Sequence, residues 1–198
     1  MKPLALEANA ALDRRIAVAD AALAVLETDG GRGLTHRAVD RRAGLPQGST
    51  SNYFQTREGL LTAALRRLVE HEQPSVRAIE ALVPAGPYAP HEAAEHVAEL
   101  VRTWLEPQRR GLAVARYELI LEGRRRPQFE LALNEVRREY LLLVEQLLPV
   151  AGCGEPRRHA PQLLVTLDGL MVNQLFSAPT ALDDVELVDH LERFFTSC

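Results

Sequence analysis

Between residues 46 and 57 the chain reads Pro-Gln-Gly-Ser-Thr-Ser-Asn-Tyr-Phe-Gln-Thr-Arg, a run whose middle carries almost no apolar side chains. Gln47 can donate to and accept from one adenine edge, and Ser49, Thr50, Ser51 and Asn52 are small groups suited to base edges or phosphate oxygens. Gly48 lacks a side chain, so backbone can approach a partner closely there. Tyr53 offers a hydroxyl on an apolar ring, while Phe54 is expected to plug a core. Thr35 and Arg57 each stand where a helix should begin, with Arg37 beside the first, and helix N-termini attract phosphate through their N–H groups and dipoles. The chemistry implied is hydrogen bonding and charge neutralisation on double-stranded DNA.

Short helices must position these groups. Helical periodicity recurs along the chain and period-two alternation does not, which makes the expected fold class all-α. Leu12, Ile16, Ala19, Leu23 and Leu26 stripe a first helix, closed by Asp29-Gly30-Gly31. Thr35 is placed to cap a short second helix bearing Ala38, Val39 and Ala43 and stopped at Gly44. Pro46 is expected to open a third, running to about Tyr53. Thr56 should cap a long fourth helix, with Leu60, Leu61, Ala64, Leu65 and Leu68 inward, fading near Glu72-Gln73-Pro74. Prolines at 84, 87 and 90 then punctuate the chain, and five more helices are expected, for about nine in all. The spacing places a boundary near 73, with residues 8–73 as one domain and 74–198 as a second.

Two short helices joined at Ala43-Gly44-Leu45-Pro46 have the spacing of a helix-turn-helix whose second helix reads DNA. Charge agrees with this reading. From Gly31 to Arg67 seven arginines stand against Asp40 and Glu58, a local excess of five positive charges in a chain of net charge -4. A basic module on an acidic body is the pattern expected when only that module meets DNA. No apolar run approaches the roughly 18 residues needed to span a bilayer, and Met1-Lys2-Pro3 leads into no signal pattern. Cys153 and Cys198, without a CxxC spacing or a neighbouring His, predict neither a disulfide framework nor a metal site, and so a reducing cytoplasm. No cofactor is expected.

The segment from Leu34 to Leu68 resembles the DNA-binding segment of the TetR (tetracycline-repressor-like) family of bacterial regulators. Leu34-Thr35, Ala43-Gly44, Gly48, Tyr53-Phe54 and Arg57-Glu58 fill the places of that family's pattern in order. Thr50 and Ser51 stand where many members carry Tyr or Leu, so no operator sequence carries over. The resemblance extends over roughly Asp13 to Leu68, about a third of the chain. It implies a homodimeric repressor on a palindromic operator, with a helical body that binds a small effector and forms the dimer.

Within that body the residues themselves predict a pocket. Trp104 is central on the apolar face of a fifth helix, and Tyr117 and Met171 fall on helices expected nearby. Arg116 lies among Leu112, Leu119, Ile120 and Gly123 on a sixth helix, and Asp168 lies between Leu164, Val172 and Leu175 on an eighth. A charge in an apolar face needs a partner, so these two either pair or hold a polar ligand group. The expected effector is a small lipophilic molecule. Helix eight has only a narrow polar strip, at Gln162, Thr166, Gly169 and Asn173. It is expected to form the dimer with helix nine, or alternatively helix seven. The run Glu122 to Pro127 is expected to be a solvated helix end, and His91 and His96 are spaced poorly for a shared metal. Other readings stay open: an effector-independent DNA binder, an activator, or an all-helical enzyme using Glu118, Glu122 and Asp168. No nucleophile elbow, phosphate loop or acid-base carboxylate pair marks a catalytic site.

Overall fold

The computed structural model describes residues 3–83 and 86–198, so Met1, Lys2, Pro84 and Ala85 lie outside the described residues. The described chain is helical throughout: α1 (Pro3–Gly33), α2 (His36–Arg42), α3 (Ser49–Tyr53), α4 (Arg57–Glu80), α5 (Pro90–Leu105), α6 (Arg110–Gly123), α7 (Pro127–Leu147), α8 (Pro156–Phe176) and α9 (Asp184–Thr196). None of these helices is long and apolar enough to cross a membrane. Contacts divide the chain into two units. One is the chain up to His71 with Gly111–Asn134, and the other is Glu72–Arg110 with Glu135–Cys198. α6 and the start of α7 thus group with the N-terminal helices.

In the first unit, Val18, Ala22, Val25 and Leu26 of α1 and Leu60, Leu61 and Ala64 of α4 are all buried. Leu12, expected to begin the α1 stripe, is 56% exposed; the buried stripe starts beyond it. Gly30 takes φ 65°, which breaks the helix where Asp29-Gly30-Gly31 was expected to end it. Thr35 caps α2 by accepting from the Ala38 N–H at 3.1 Å, and Thr56 does the same for α4 from Gly59 at 3.0 Å. α4 runs on through Pro74 to Glu80 instead of fading. A proline removes one N–H bond and crowds one carbonyl at a cost of roughly 3 kcal/mol, and buried Glu72 and Ser75 flank it here.

The second unit packs α5 against α9 and α8. On α5, Ala93, Leu100 and Val101 are buried, as their common face predicts, and α9 buries Leu187, Val188, Leu191 and Phe195. α9 opens on a reciprocal cap between Asp183 and Glu186. The two cysteines correct the sequence reading: Cys153 and Cys198 form a disulfide across a sequence separation of 45, and His159 lies against both sulfurs. A separation of that length is invisible to rules based on local spacing.

Glu122 holds the first unit together. Its carboxylate is 4% exposed and receives Arg57 at 2.9 Å, Arg126 at 3.2 Å and Arg125 at 3.2 Å. Arg57 also donates to the carbonyls of Gly31 and Leu34, while Arg126 reaches Glu58 at 2.7 Å. One turn earlier, Glu118 accepts from the Gly31 N–H at 2.7 Å. A side chain at Gly31 would meet Glu122 Oε1 at 2.7 Å, so only glycine fits. The Glu122–Pro127 run is therefore a clamp that is solvated only in part: Arg124, Arg125 and Pro127 are exposed, whereas Glu122 and Gly123 are buried and Arg126 is half-buried. Arg57, expected at a phosphate, has its guanidinium occupied within the chain. The partners are 65 residues apart, and no helical wheel relates them.

Burial alone would push the Glu122 carboxyl up. Hydrogen bonds from Arg57 and Arg126, the charge of Arg57 and a bond from Arg125 outweigh it and hold the group below the usual carboxylate range. A folded-state value below the unfolded one gives stability that is complete above the unfolded value and is lost as pH falls through the folded one. Glu122→Gln should therefore lower unfolding stability at neutral pH by about 3 kcal/mol, read from urea midpoints. The variant should also lose less further stability than the parent between neutral and acid pH. An unchanged neutral midpoint would remove the clamp from the account.

Candidate nucleic-acid interface and effector cavity

Asp40 sets the helix-turn-helix. It is 2% exposed, and its carboxylate accepts from the Gly48 N–H at 2.7 Å, the Thr50 N–H at 2.7 Å and the Thr50 hydroxyl at 2.6 Å. One side chain on α2 thus caps the first turn of α3, which has no room for an internal ladder of its own. Burial raises the Asp40 carboxyl; the Thr50 hydroxyl, the Thr50 and Gly48 N–H groups and nearby His36 outweigh it and hold it low. Counting charge registered Asp40 only as one acid among arginines. The signal that could have found it is an Asp followed at i+8 and i+10 by Gly and Thr.

This arrangement sorts the expected reader residues. Thr50 is fully buried with its hydroxyl on Asp40, so it faces away from any base edge. Phe54, four residues on, is buried as expected, beneath the Arg15 guanidinium at 4.8 Å. Residues four apart share a face, and the opposite face carries exposed Ser51 and Asn52, with Gln47 and Gly48 exposed in the turn before it. Gly48 has φ 92°, and an added Cβ would meet nothing within 4 Å; backbone conformation requires the glycine. Pro46 does not open α3. It precedes the helix, and its carbonyl accepts from both the N–H and the hydroxyl of Ser49 at 2.6 Å. Tyr53 is half-buried. Thr35 is exposed, though its hydroxyl oxygen already serves the cap of α2.

The cations beside α3 are Arg37, Arg41 and Arg42, all exposed on α2. Arg67 instead joins α1 to α4 through Asp20 at 2.6 Å. Hydrogen-bonding groups on α3 flanked by exposed cations on α2 suit a polyanion whose edges also carry donors and acceptors, as those of duplex DNA do.

A separate cavity of about 130 Å³ lies inside the second unit, with almost wholly apolar walls. The walls include Val76 and Ile79 of α4; Val97, Leu100 and Trp104 of α5; Tyr140, Leu143 and Leu147 of α7; Leu163 and Leu167 of α8; and Phe195 of α9. Tyr88 and His96 add to the aromatic lining, with their rings edge to face at 4.8 Å. The Tyr140 hydroxyl donates to buried Glu72. Of the five expected ligand residues, Trp104 lines this cavity, and Arg116, Tyr117, Asp168 and Met171 are not among its walls. Asp168 receives Arg137 of α7 at 3.1 Å on the surface. Tyr140, Leu143 and Leu147 recur at helical spacing along α7, and nothing local separates their cavity role from plain core. His91 pairs with Glu192 at 2.8 Å on the surface, away from His96's role.

No curated protein matches the sequence. The family profile described as the C-terminal domain of tetracyclin repressor-like proteins matches residues 89–197. Among solved structures, a TetR-family member from Streptomyces coelicolor A3 is 32% identical, with 91% of this chain and 97% of that one covered at a TM-score of 0.73. The multidrug binding protein EbrR complexed with imidazole is 32% identical, covering 92% and 89% at a TM-score of 0.68. The same protein complexed with malachite green is 30% identical, covering 91% and 97% at a TM-score of 0.71. A helix-turn-helix set by a buried aspartate, an all-helical body and a profile match over more than half its length place this chain in the TetR family of transcriptional regulators.

Proposed function

We propose that the protein is a homodimeric, sequence-specific repressor in the cytoplasm, released from a palindromic operator by a small lipophilic effector. The observation that carries the DNA reading is the outward surface made by Gln47 in the turn and Ser51 and Asn52 on α3, presented by a buried carboxylate that fixes the turn. A five-residue reader contacts too few bases alone. Two copies on a palindrome, about 34 Å apart or a small multiple of that, supply the rest. Repression rather than activation is the family's usual mode, and release by an effector draws support from EbrR, which is described as a multidrug binding protein and has been solved with ethidium and malachite green.

For the dimer, α8 offers Val165, Val172 and Phe176, which are 64%, 41% and 56% exposed. With Gly169, where an added Cβ meets nothing within 4 Å, they fall at i, i+4, i+7 and i+11 on one stripe. Apolar surface at that spacing is suited to a second helix. The buried face of α9 already packs within the chain, leaving Val185 exposed. The α8 stripe therefore supplies most of the proposed contact. Leu170, 5% exposed, belongs to the core and not to this surface. For release, α4 is one helix from Arg57 in the clamp to Ile79 in the cavity wall. An effector that shifts its second half, from near Val69 and Gln73 onward, would alter reader spacing, and operator and effector would weaken each other by the same factor.

Three measurements test this reading. In anisotropy titrations on operator and scrambled duplexes, Gln47→Ala or Ser51→Ala should relax base preference by about 1–3 kcal/mol. Arg37→Ala should weaken all duplexes alike and reduce the salt slope by about one. Equal loss of specificity in both classes would mean the reader face is misassigned. Val172→Glu should sediment as a monomer with lower operator affinity; an unchanged dimer would take α8 out of the interface. In a thermal-shift screen of lipophilic aromatic compounds, ligands that release DNA should perturb Trp104 fluorescence and lose their effect in Trp104→Ala. A releasing ligand that does neither places the effector site elsewhere.

A further inference from the structure

Three side chains far apart in sequence meet at one end of the second unit. Cys153 follows the short helical turn Leu148–Ala151, His159 lies in the first turn of α8, and Cys198 follows α9. The sulfurs are joined, with Cα atoms 5.0 Å apart. His159 Nδ1 stands 3.2 Å from the Cys153 sulfur and 3.0 Å from the Cys198 sulfur. All three ligand atoms fall within 4.8 Å of one another. Phe194 packs edge-on against the imidazole at 6.4 Å and fixes its plane. Cys153 is 6% exposed, and the other two are half-buried, so the cluster is sheltered yet reachable from solvent.

Neither DNA reading nor the cavity uses this cluster. Packing alone does not require an imidazole nitrogen against two sulfurs. Two thiolates and a neutral imidazole are the donor set of a thiophilic cation, and a tetrahedral ion with metal–sulfur and metal–nitrogen distances of about 2.3 and 2.0 Å holds such ligands about 3.3–3.8 Å apart. His159 Nδ1 already stands near that spacing from both sulfurs, and opening the sulfur–sulfur bond lets the two sulfurs separate toward it.

We propose that the reduced form of Cys153, His159 and Cys198 is a binding site for one thiophilic cation of zinc type, with the disulfide as its cation-free form. Reduction supplies two electrons from a phosphine or dithiol to the sulfur–sulfur bond, which takes up two protons and becomes two thiols. The cation then displaces both thiol protons, and His159 contributes the Nδ1 lone pair with its remaining proton on Nε2. Three protein ligands leave a fourth position for water or an added thiol. The two negative sulfurs balance the dipositive ion, so the half-buried site carries no net charge.

Cobalt(II) serves as the spectroscopic probe. The full-length protein, reduced with a phosphine under nitrogen and freed of excess reductant, should develop thiolate-to-cobalt charge-transfer absorption that saturates at one equivalent. Zinc should abolish this absorption by displacement. The air-oxidised protein should show none, a comparison that depends on no variant. Cys153→Ser should lose the absorption, and His159→Ala or His159→Gln should lose saturation at one equivalent, with circular dichroism confirming the helical fold of whichever variant is scored. A reduced parent without the absorption overturns the proposal, as does an oxidised parent that binds equally well. Undiminished stoichiometric binding by both His159 variants also overturns the assigned donor set.

Discussion

A carboxylate that is almost wholly removed from water determines how the first unit closes. Glu122 is surrounded by three arginines, and through Arg57 it reaches the carbonyls at the end of α1. A buried charge of this kind is costly unless every lone pair finds a donor, so the surrounding chain has few alternative arrangements. Gly31 must be glycine, Arg57 must open α4, and α6 must lie where its Glu118 and Glu122 can reach both. Asp40 repeats the logic at smaller scale, fixing the turn and the first residues of α3 with three donors. The outward residues of α3 are thus held by polar groups that never reach the surface.

Much of the architecture was legible from periodicity and caps. Thr35, Thr56 and Asp183 begin helices through local side-chain to backbone bonds, and local rules find such caps. The buried stripes of α4 and α5 were likewise visible, because a 3.6-residue repeat survives any tertiary context. What escaped were relations between distant segments. Arg57 and Glu122, Asp20 and Arg67, and Cys153 and Cys198 are each separated by more than 40 residues. A basic residue at a helix start reads the same whether it faces phosphate or a buried glutamate.

The candidate DNA face was legible by residue type and only partly by orientation. Gln47, Ser51 and Asn52 face out, as their polarity implies, whereas Thr50 is equally polar and faces in. Polarity could not separate them, because a buried hydroxyl with a carboxylate partner is as well satisfied as one in water. In the second unit, Trp104 was found from the apolar face of α5. Arg116 and Asp168 were singled out because charge stood among apolar neighbours, and the cavity walls instead carry aliphatic and aromatic side chains that periodicity cannot tell from ordinary core.

The composition of those walls limits how any occupant could be told from its relatives. Few lining groups leave a hydrogen bond unmade when the wrong molecule enters, and a missing hydrogen bond is what allows steep discrimination between functional groups. A cavity near 130 Å³ is about the size that holds a single benzene-like ring, and drug-sized clefts begin nearer 300 Å³. Selectivity in such a space is graded by volume, at roughly 1–3 kcal/mol for each methylene gained or lost. Close homologues would then differ in potency by steps, without a sharp boundary between inducer and bystander.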